Sequence, residues 1–250
     1  MLFSPPLILS DDVYMKYFYS IIFWPIIFLC QLIALALISW HLAAQIHFAY
    51  PVGYELLGLE QHIAEYAPLN RYKEDFELIT KQEHWHLFGE ICKSIQDHGK
   101  GLADIQYSLS DGSKTSLMHQ NEIIHLQDVA NLIDKFYLVG EFSLVIWIAG
   151  LLFFYFKRPK PPSMKKVIAV FLACIGFVTL VIVFIGSKNV FYWFHQQVFP
   201  NGHQWFFYYQ DSLMTTLMKA PDIFAFIATL LLSLLTALWV VCSFLTNRVR

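Results

Sequence analysis

Four long runs of apolar residues restrict the folds open to this chain more than any other feature of the sequence. Hydrophobic residues make up 57% of its 250 residues and charged residues 14%, against about half and about a quarter in a soluble domain. Each run is close to the roughly 20 residues that a helix needs to cross a bilayer. The sequence therefore predicts an all-α integral membrane protein with four transmembrane helices, at about residues 18–43, 137–156, 167–187 and 222–246.

Basic residues flank these runs unevenly, and the asymmetry predicts how the chain is oriented. Lys16 precedes the first run, and the connection KRPKPPSMKK between the second and third runs contains Lys157, Arg158, Lys160, Lys165 and Lys166. Because Lys and Arg accumulate in cytoplasmic loops, we expect these segments and both termini in the cytoplasm. Residues 44–136 and 188–221 are then extracytoplasmic.

The segment between the first two runs has the pattern of a folded helical domain. Asn70 is a suitable N-cap for a helix ending near residue 97, in which apolar residues recur at helical spacing. The stretch SDGSKTS, residues 110–116, has turn composition, and a helical pattern after it leads into the second run. We therefore expect residues 1–250 to form a single membrane domain, with a helical extracytoplasmic insertion at 44–136 and a short extracytoplasmic loop between the third and fourth spans.

Three ionisable residues recur at intervals of three in the segment NEIIHLQDVANLI. Glu122, His125 and Asp128 lie near one face of the predicted helix. A carboxylate beside an imidazole fixes its tautomer and favours its protonated form, which suits a general base. A solvated helix face would show the same spacing, since polar i,i+3 pairs are common, so both interpretations stay open.

A second polar cluster follows the third run, in the stretch VFYWFHQQVFPNGHQWFFYYQD, residues 190–211. His195 lies among aromatic residues, and a Pro-Asn-Gly turn reverses the chain and returns Trp205 and Asp211 to the same level. An aromatic belt at headgroup depth explains the aromatic residues but not the reversal. Polar groups at membrane depth are tolerated where protein or a wet cavity covers them, and ionisable residues there are functional candidates.

The sequence gives no indication of a metal, a cofactor or a nucleic acid partner. His84 and His86 are two residues apart and would point to different helix faces, and the other histidines show no zinc-ligand spacing. A net charge of −2 is not that of a polyanion-binding protein. The serine-hydrolase elbow, the P-loop and the dinucleotide fingerprint are missing from the sequence as well.

Two motifs resemble those of the bacterial lipoprotein intramolecular transacylase family. The first is HLQDV, residues 125–129, ahead of the second span. The second is FHQQVFPNGHQWFF, residues 194–207, with DSLMTTLMKAPDIF, residues 211–224, ahead of the fourth span. The four-span arrangement is also similar, whereas residues 79–119 match nothing characteristic of the family.

This resemblance implies an acyl transfer within diacylated bacterial lipoproteins. The sn-2 acyl chain of the diacylglyceryl group would move to the α-amino group of the N-terminal cysteine, giving the N-acyl lyso form. It implies His125 and His195 as acid–base catalysts and no metal, cofactor or acyl-enzyme. We expect His125 to be the base, oriented by Asp128, and His195 to donate to the oxyanion or to the departing glycerol oxygen, with the exchanged roles as the alternative. The expected substrate-binding residues are Glu122, Phe191, Phe194, Phe199, Trp205 and Asp211.

The resemblance also implies a location in the bacterial plasma membrane, with the active site on the extracytoplasmic side and membrane lipids around it. Two alternatives remain at this stage. One is a non-catalytic scaffold or adaptor for lipoproteins, whose outer domain binds a partner. The other is a membrane hydrolase that cleaves phospholipid or lipoprotein esters at the same site.

Overall fold

A computed structural model describes residues 18–157 and 162–248 of the chain. In chain order its helices are α1 (Trp24–Gln45), α2 (Tyr50–Leu56), α3 (Leu59–Tyr66), α4 (Lys81–Gln96), α5 (Gln120–Lys157), α6 (Met164–Ile185), α7 (Ser187–Val198), α8 (Leu213–Met218) and α9 (Asp222–Arg248). A π-helical turn at Phe18–Phe23 precedes α1, and 3₁₀ turns occur at His47–Ala49, Ala67–Leu69, Phe76–Leu78 and Leu102–Asp104. The two strands, β1 (Gln106–Ser108) and β2 (Lys114–Ser116), pair antiparallel.

Four of these helices, α1, α5, α6 and α9, are long and apolar enough to cross a membrane. The prediction of a mainly helical protein with four membrane-spanning helices is therefore confirmed. Lys16, Arg158 and Lys160, on which part of the orientation argument depends, lie outside the described residues. The orientation of the chain in the membrane stays a prediction.

Helix α1 lies at the centre of the membrane bundle, packed along both α5 and α9. Close approach depends on glycines of α5, because a Cβ added to Gly150 would come within 2.1 Å of Ile27, and one at Gly140 within 2.6 Å of Leu37. Helix α6 is peripheral and has no buried residue. The ring of Phe171, in its third turn, stacks on that of Trp239 in α9, with the ring centroids 4.2 Å apart. The apolar surface of α6 therefore faces lipid.

Helix α5 is too long to lie wholly within a membrane. Its 38 residues measure about 57 Å at 1.5 Å per residue, against a hydrocarbon core of about 30 Å. The predicted span at 137–156 is its mainly apolar part, and residues 120–136 at the other end carry most of its charged side chains. The first turns of α5 consequently project beyond the bundle.

Residues 46–119, here called the cap region, fold over this end of the bundle. Their core is a continuous cluster that includes Tyr50, Tyr54, Leu59, Phe76, Leu87, Ile91, Leu102, Tyr107 and Leu117. The core continues into α8, where Leu213 and Leu217 are almost fully buried. The cap region and the connection between α7 and α9 therefore pack as one body at one end of the bundle.

The predicted start of the helix in the cap region is wrong. The helix α4 begins at Lys81, and its N-cap is Thr80, whose hydroxyl accepts a hydrogen bond from the Glu83 amide. The side chain of Asn70 instead accepts from the amides of Tyr72 and Lys73 in a local turn. The sequence TKQE, residues 80–83, has the Thr-x-x-Glu pattern of a capping box and identifies the true start.

Candidate active site

The candidate active site lies where three segments meet at the cap end of the bundle. The first turns of α5 carry His125, the last turns of α7 carry His195, and the chain after α7 carries Phe199 and Phe207. This chain, residues 199–211, is called the return segment. Its backbone joins the cap region where the Arg71 amide donates to the Gln210 carbonyl at 2.9 Å.

His125 has a largely buried imidazole in contact with two phenyl rings. Its ring centroid lies 4.9 Å from that of Phe199 and 6.0 Å from that of Phe207. The pKa of His125 is lowered to about 4, mainly by burial and also by the nearby His195, whereas Asp128 opposes the shift. Among the described residues, nothing hydrogen-bonds to its buried Nδ1. The imidazole is therefore neutral at physiological pH.

His195 has a defined tautomer. Its Nδ1 lies 2.8 Å from the Phe191 carbonyl oxygen, one helical turn earlier in α7. Because a carbonyl only accepts, Nδ1 carries the proton, and in the neutral ring Nε2 carries the lone pair. Burial lowers the pKa of His195, which favours this neutral form. Phe191 and Trp205 cover the ring at centroid distances of 3.9 and 4.8 Å.

A single phenyl ring bridges the two histidines. Phe199 lies 4.9 Å from His125 and 5.3 Å from His195, measured between ring centroids. Two imidazoles that are 70 residues apart in sequence are thus brought to one aromatic ring, against which both pack. The structure brings together the two residues that the sequence predicts as catalytic.

Asp128 has a different hydrogen-bond partner from the expected one. Its Oδ2 accepts from Nδ1 of His203 at 2.6 Å, and its side chain is only 12% exposed. Within the described part of the chain, no hydrogen bond joins Asp128 to His125. His203 was not predicted as a site residue. In the stretch PNGH, residues 200–203, nothing distinguishes a histidine of a turn from one that hydrogen-bonds a carboxylate on α5.

Glu122 is fully buried, with no exposed surface. One carboxylate oxygen accepts from the His119 amide at 2.6 Å and the other from the Ser212 hydroxyl at 2.5 Å. Burial raises the pKa of Glu122, and these two hydrogen bonds oppose that shift. The carboxylate therefore connects the start of α5 to the start of α8.

Of the remaining predicted substrate-binding residues, Phe191, Phe194 and Trp205 lie around His195. Phe191 and Phe194 are partly exposed on α7, and the Phe194 ring lies 5.7 Å from that of His195. Trp205 packs on His195 from the return segment. Asp211 is farther along that segment and pairs with Arg71 of the cap region at 2.9 Å. Contact of these residues with a substrate stays a prediction.

The site offers two neutral imidazoles in a partly buried aromatic setting, one of them with an assigned lone pair at Nε2. Such a pair can accept a proton at one ring and donate a hydrogen bond at the other. Within residues 18–157 and 162–248, no group of three or more His, Cys, Asp or Glu side chains is arranged to hold a metal ion.

Fold and site together define an integral membrane protein with a histidine cluster under a folded cap at one end of its helix bundle. The model of the lipoprotein intramolecular transacylase family, Lit, matches residues 18–224. The matched range includes α1, α5, both histidines and the return segment. The chain therefore belongs to the Lit family, and this membership supports acyltransferase activity.

A solved structure has a similar fold. It is the in meso structure of the membrane-integral lipoprotein intramolecular transacylase Lit from Bacillus cereus, in a variant with one histidine replaced by arginine. The TM-score is 0.63 at 16% sequence identity, and the match covers 96% of this chain and 95% of the other. No curated protein matches the sequence significantly. The structural match concerns the fold, whereas family membership depends on the sequence match.

Proposed function

We propose that this protein is a lipoprotein intramolecular transacylase. It moves the sn-2 acyl chain of a diacylglyceryl-cysteine lipoprotein to the α-amino group of the N-terminal cysteine and releases the N-acyl lyso form. The observation that carries this proposal is the packing of His125 and His195 against one ring, Phe199, in a chain that belongs to the Lit family.

The substrate supplies both reactants of this transfer. The amine nitrogen bonds to the ester carbonyl carbon, the bond from that carbon to the glycerol oxygen breaks, one proton leaves the nitrogen, and one proton reaches the oxygen. Because amine and ester belong to one molecule, the protein has to hold a folded-back conformer of the substrate. Holding the two groups in position can remove a large part of the activation free energy. No acyl-enzyme is needed, so neither serine nor cysteine has to act as a nucleophile.

The hydrogen bonding of the two imidazoles favours distinct roles. With Nδ1 donating to the Phe191 carbonyl, His195 has its lone pair at Nε2 and is the better candidate for the base that takes the amine proton. A pKa of about 4 makes His125 a weak base but leaves it a neutral donor. His125 then donates to the developing oxyanion or to the departing glycerol oxygen. The sequence favours the opposite assignment, with His125 as the base.

The orientation of the protein follows from the same proposal. Lys157, Lys165 and Lys166 lie at the end of the bundle away from the cap region, as expected of the cytoplasmic side. The cap region and both histidines then face outward from the bacterial plasma membrane. A diacylated lipoprotein in the outer leaflet keeps its acyl chains in lipid, and its ester and amino groups then lie at the depth of the two histidines.

A defined lipopeptide substrate tests the proposal. Purified protein in vesicles is incubated with a synthetic diacylglyceryl-cysteine peptide and no acyl donor. Since intramolecular transfer leaves the intact mass unchanged, fragmentation has to locate the acyl chain on nitrogen or on glycerol. We expect the N-acyl lyso product, and a rate about 10² to 10⁴ lower for His195→Ala and His125→Ala.

His86→Ala is the matched control, because His86 is exposed on α4 in the cap region. The control should keep the rate of the unmodified protein. Release of free fatty acid would indicate a hydrolase instead. Unchanged substrate with a folded preparation would contradict catalysis and favour a lipoprotein scaffold.

A further inference from the structure

A cavity of about 380 Å³ opens beside the histidine cluster, between the cap region, the start of α5 and the return segment. Most of the side chains that line it are polar, and Phe207 is its apolar wall. The polar side chains include Arg71, His119, Asn121, Gln204 and Asp211. The volume falls in the range of small-ligand sites. The proposed transfer itself requires none of these polar groups.

Two side-chain pairs close the sides of this cavity. The Asn121 amide donates to the Gln204 side-chain oxygen at 3.0 Å, and Arg71 pairs with Asp211 at 2.9 Å. The first pair joins the return segment to the start of α5, and the second joins it to the cap region. Nε2 of His119 is buried without a hydrogen-bond partner among the described residues. The cavity thus presents the carboxamide groups of Asn121 and Gln204.

The cavity adjoins the proposed reaction centre. Phe207 lines it, and the Phe207 ring lies 6.0 Å from that of His125. Asn121 precedes His125 by one helical turn and lies on the same side of α5. A molecule with its reacting atoms at His125 can therefore extend into the cavity.

The charges of the lining distinguish between possible occupants. Among the described residues that line it, the basic side chains are His119 and Arg71, and the Arg71 guanidinium is already paired with Asp211. The carboxyl of Glu122 is a second acidic group at the wall. A phosphate headgroup needs unpaired cations and would meet carboxylates here. A peptide group carries one donor and one acceptor, and the carboxamides of Asn121 and Gln204 can pair with it because each has both N–H donors and a carbonyl acceptor.

We propose that this cavity binds the polypeptide of the lipoprotein substrate directly after its lipidated cysteine. The inference rests on the proposed function, since it takes the reacting cysteine to lie at the histidine cluster. Asn121 and Gln204 exchange their mutual hydrogen bond for hydrogen bonds to the substrate backbone. Backbone recognition accepts different side chains, which suits an enzyme that acts on many lipoproteins.

Two substrates with the same lipid separate peptide binding from catalysis. One is a diacylglyceryl-cysteine peptide with five residues after the cysteine, and the other is diacylglyceryl-cysteine amide, which ends there. For Asn121→Ala and Gln204→Ala, KM for the peptide substrate should rise roughly five- to tenfold, the effect of about one hydrogen bond. The kinetic constants for the amide substrate should not change. Gln82→Ala, at an exposed carboxamide on α4, is the control.

Equal changes for both substrates would overturn the proposal, because they would indicate a loosened reaction centre or a cavity occupied by lipid. Unchanged KM for the peptide substrate in both variants would overturn it as well. Binding of a fluorescent lipopeptide, measured without turnover, separates this inference from the proposed function. Even if no acyl transfer is detected, weaker lipopeptide binding by Asn121→Ala and Gln204→Ala, but not by Gln82→Ala, supports the cavity assignment. Equal binding by all forms refutes it.

Discussion

Nδ1 of His203 donates to Oδ2 of Asp128 across 2.6 Å, and this hydrogen bond ties the return segment to the first turns of α5. The two residues are 75 positions apart in sequence. His203 follows the turn that reverses the chain after α7, so the contact fixes where the return segment crosses α5. Phe199 and Phe207, on either side of His203 in sequence, both contact His125. The pair thus holds the aromatic walls of the histidine cluster in position.

Asp128 and His203 should act as one unit. We expect Asp128→Ala and His203→Ala each to lower kcat about tenfold, since either change removes the same charge-assisted hydrogen bond. The double variant should lose no more than either single variant, because the shared contact is already gone. The measurement is kcat on the lipopeptide for all four forms. Independent, multiplicative losses would show that the two residues do not work through each other.

Glu122 should matter for stability more than for turnover. In Glu122→Gln the amide oxygen can still accept from the His119 amide, but the Ser212 hydroxyl has to accept instead of donating, and neither hydrogen bond involves a charged oxygen any longer. We expect Glu122→Gln to reduce stability by about 1–3 kcal/mol, or several degrees of Tm, while kcat per folded molecule changes little. Thermal unfolding in detergent measures this. Glu65→Gln, at an exposed carboxylate on α3, is the control, and a large selective loss of kcat would assign Glu122 a role at the substrate.

The sequence predicted most of the architecture because hydropathy alone determines which segments can lie in lipid. Four apolar stretches of helical length leave few arrangements, since every backbone group in a bilayer must be hydrogen-bonded within the structure. The N-cap of α4 was predicted at Asn70 instead of Thr80 because both residue types cap helices well. Only the glutamate three residues after Thr80 distinguishes them.

The sequence predicted less about the site itself. His125 and His195 could be selected as candidates because each lies in a segment with polar residues beside an apolar run. The pairing of Asp128 was not, because a carboxylate three residues from one histidine gives no sign that it bonds a histidine 75 residues away. The tautomer of His195 depends on a backbone carbonyl of its own helix, and Phe191 is informative only once that helix is known.

The role of His195 can be determined with two amide substitutions. In His195→Asn the side-chain amide can replace Nδ1 and donate to the Phe191 carbonyl, but nothing replaces Nε2. In His195→Gln the amide can reach the position of Nε2, where it can donate a hydrogen bond but cannot take a proton. If His195 is the base, both variants should lose about 10² to 10⁴ in kcat.

The comparison with His125 completes this test. A hydrogen-bond donor to the oxyanion can be replaced in part by an amide, so His125→Gln should keep more activity than His125→Ala. Substantial activity in His195→Gln together with none in His125→Gln would reverse the two roles. Circular dichroism and gel filtration should show that all variants remain folded.

The buried neutral state of His125 should make the protein less stable in acid. The pKa of His125 is about 4 in the folded protein, against about 6.5 in an unfolded chain. Between these values the unfolded chain binds the proton and the folded protein does not, so stability falls as the pH drops from about 6.5 towards 4. At pH 5 this difference amounts to about 2 kcal/mol.

His125→Gln removes this contribution, because an amide does not titrate. We expect the decrease in Tm between pH 7.5 and pH 5 to be smaller in this variant than in the unmodified protein, whatever its Tm at pH 7.5. Other histidines with lowered pKa, such as His84 and His195, contribute to both proteins and cancel in the comparison. His86→Gln, on the exposed face of α4, should keep the full decrease. An equal decrease in His125→Gln would mean that His125 is already protonated in the folded protein at pH 5, and it could then not act as a neutral donor there.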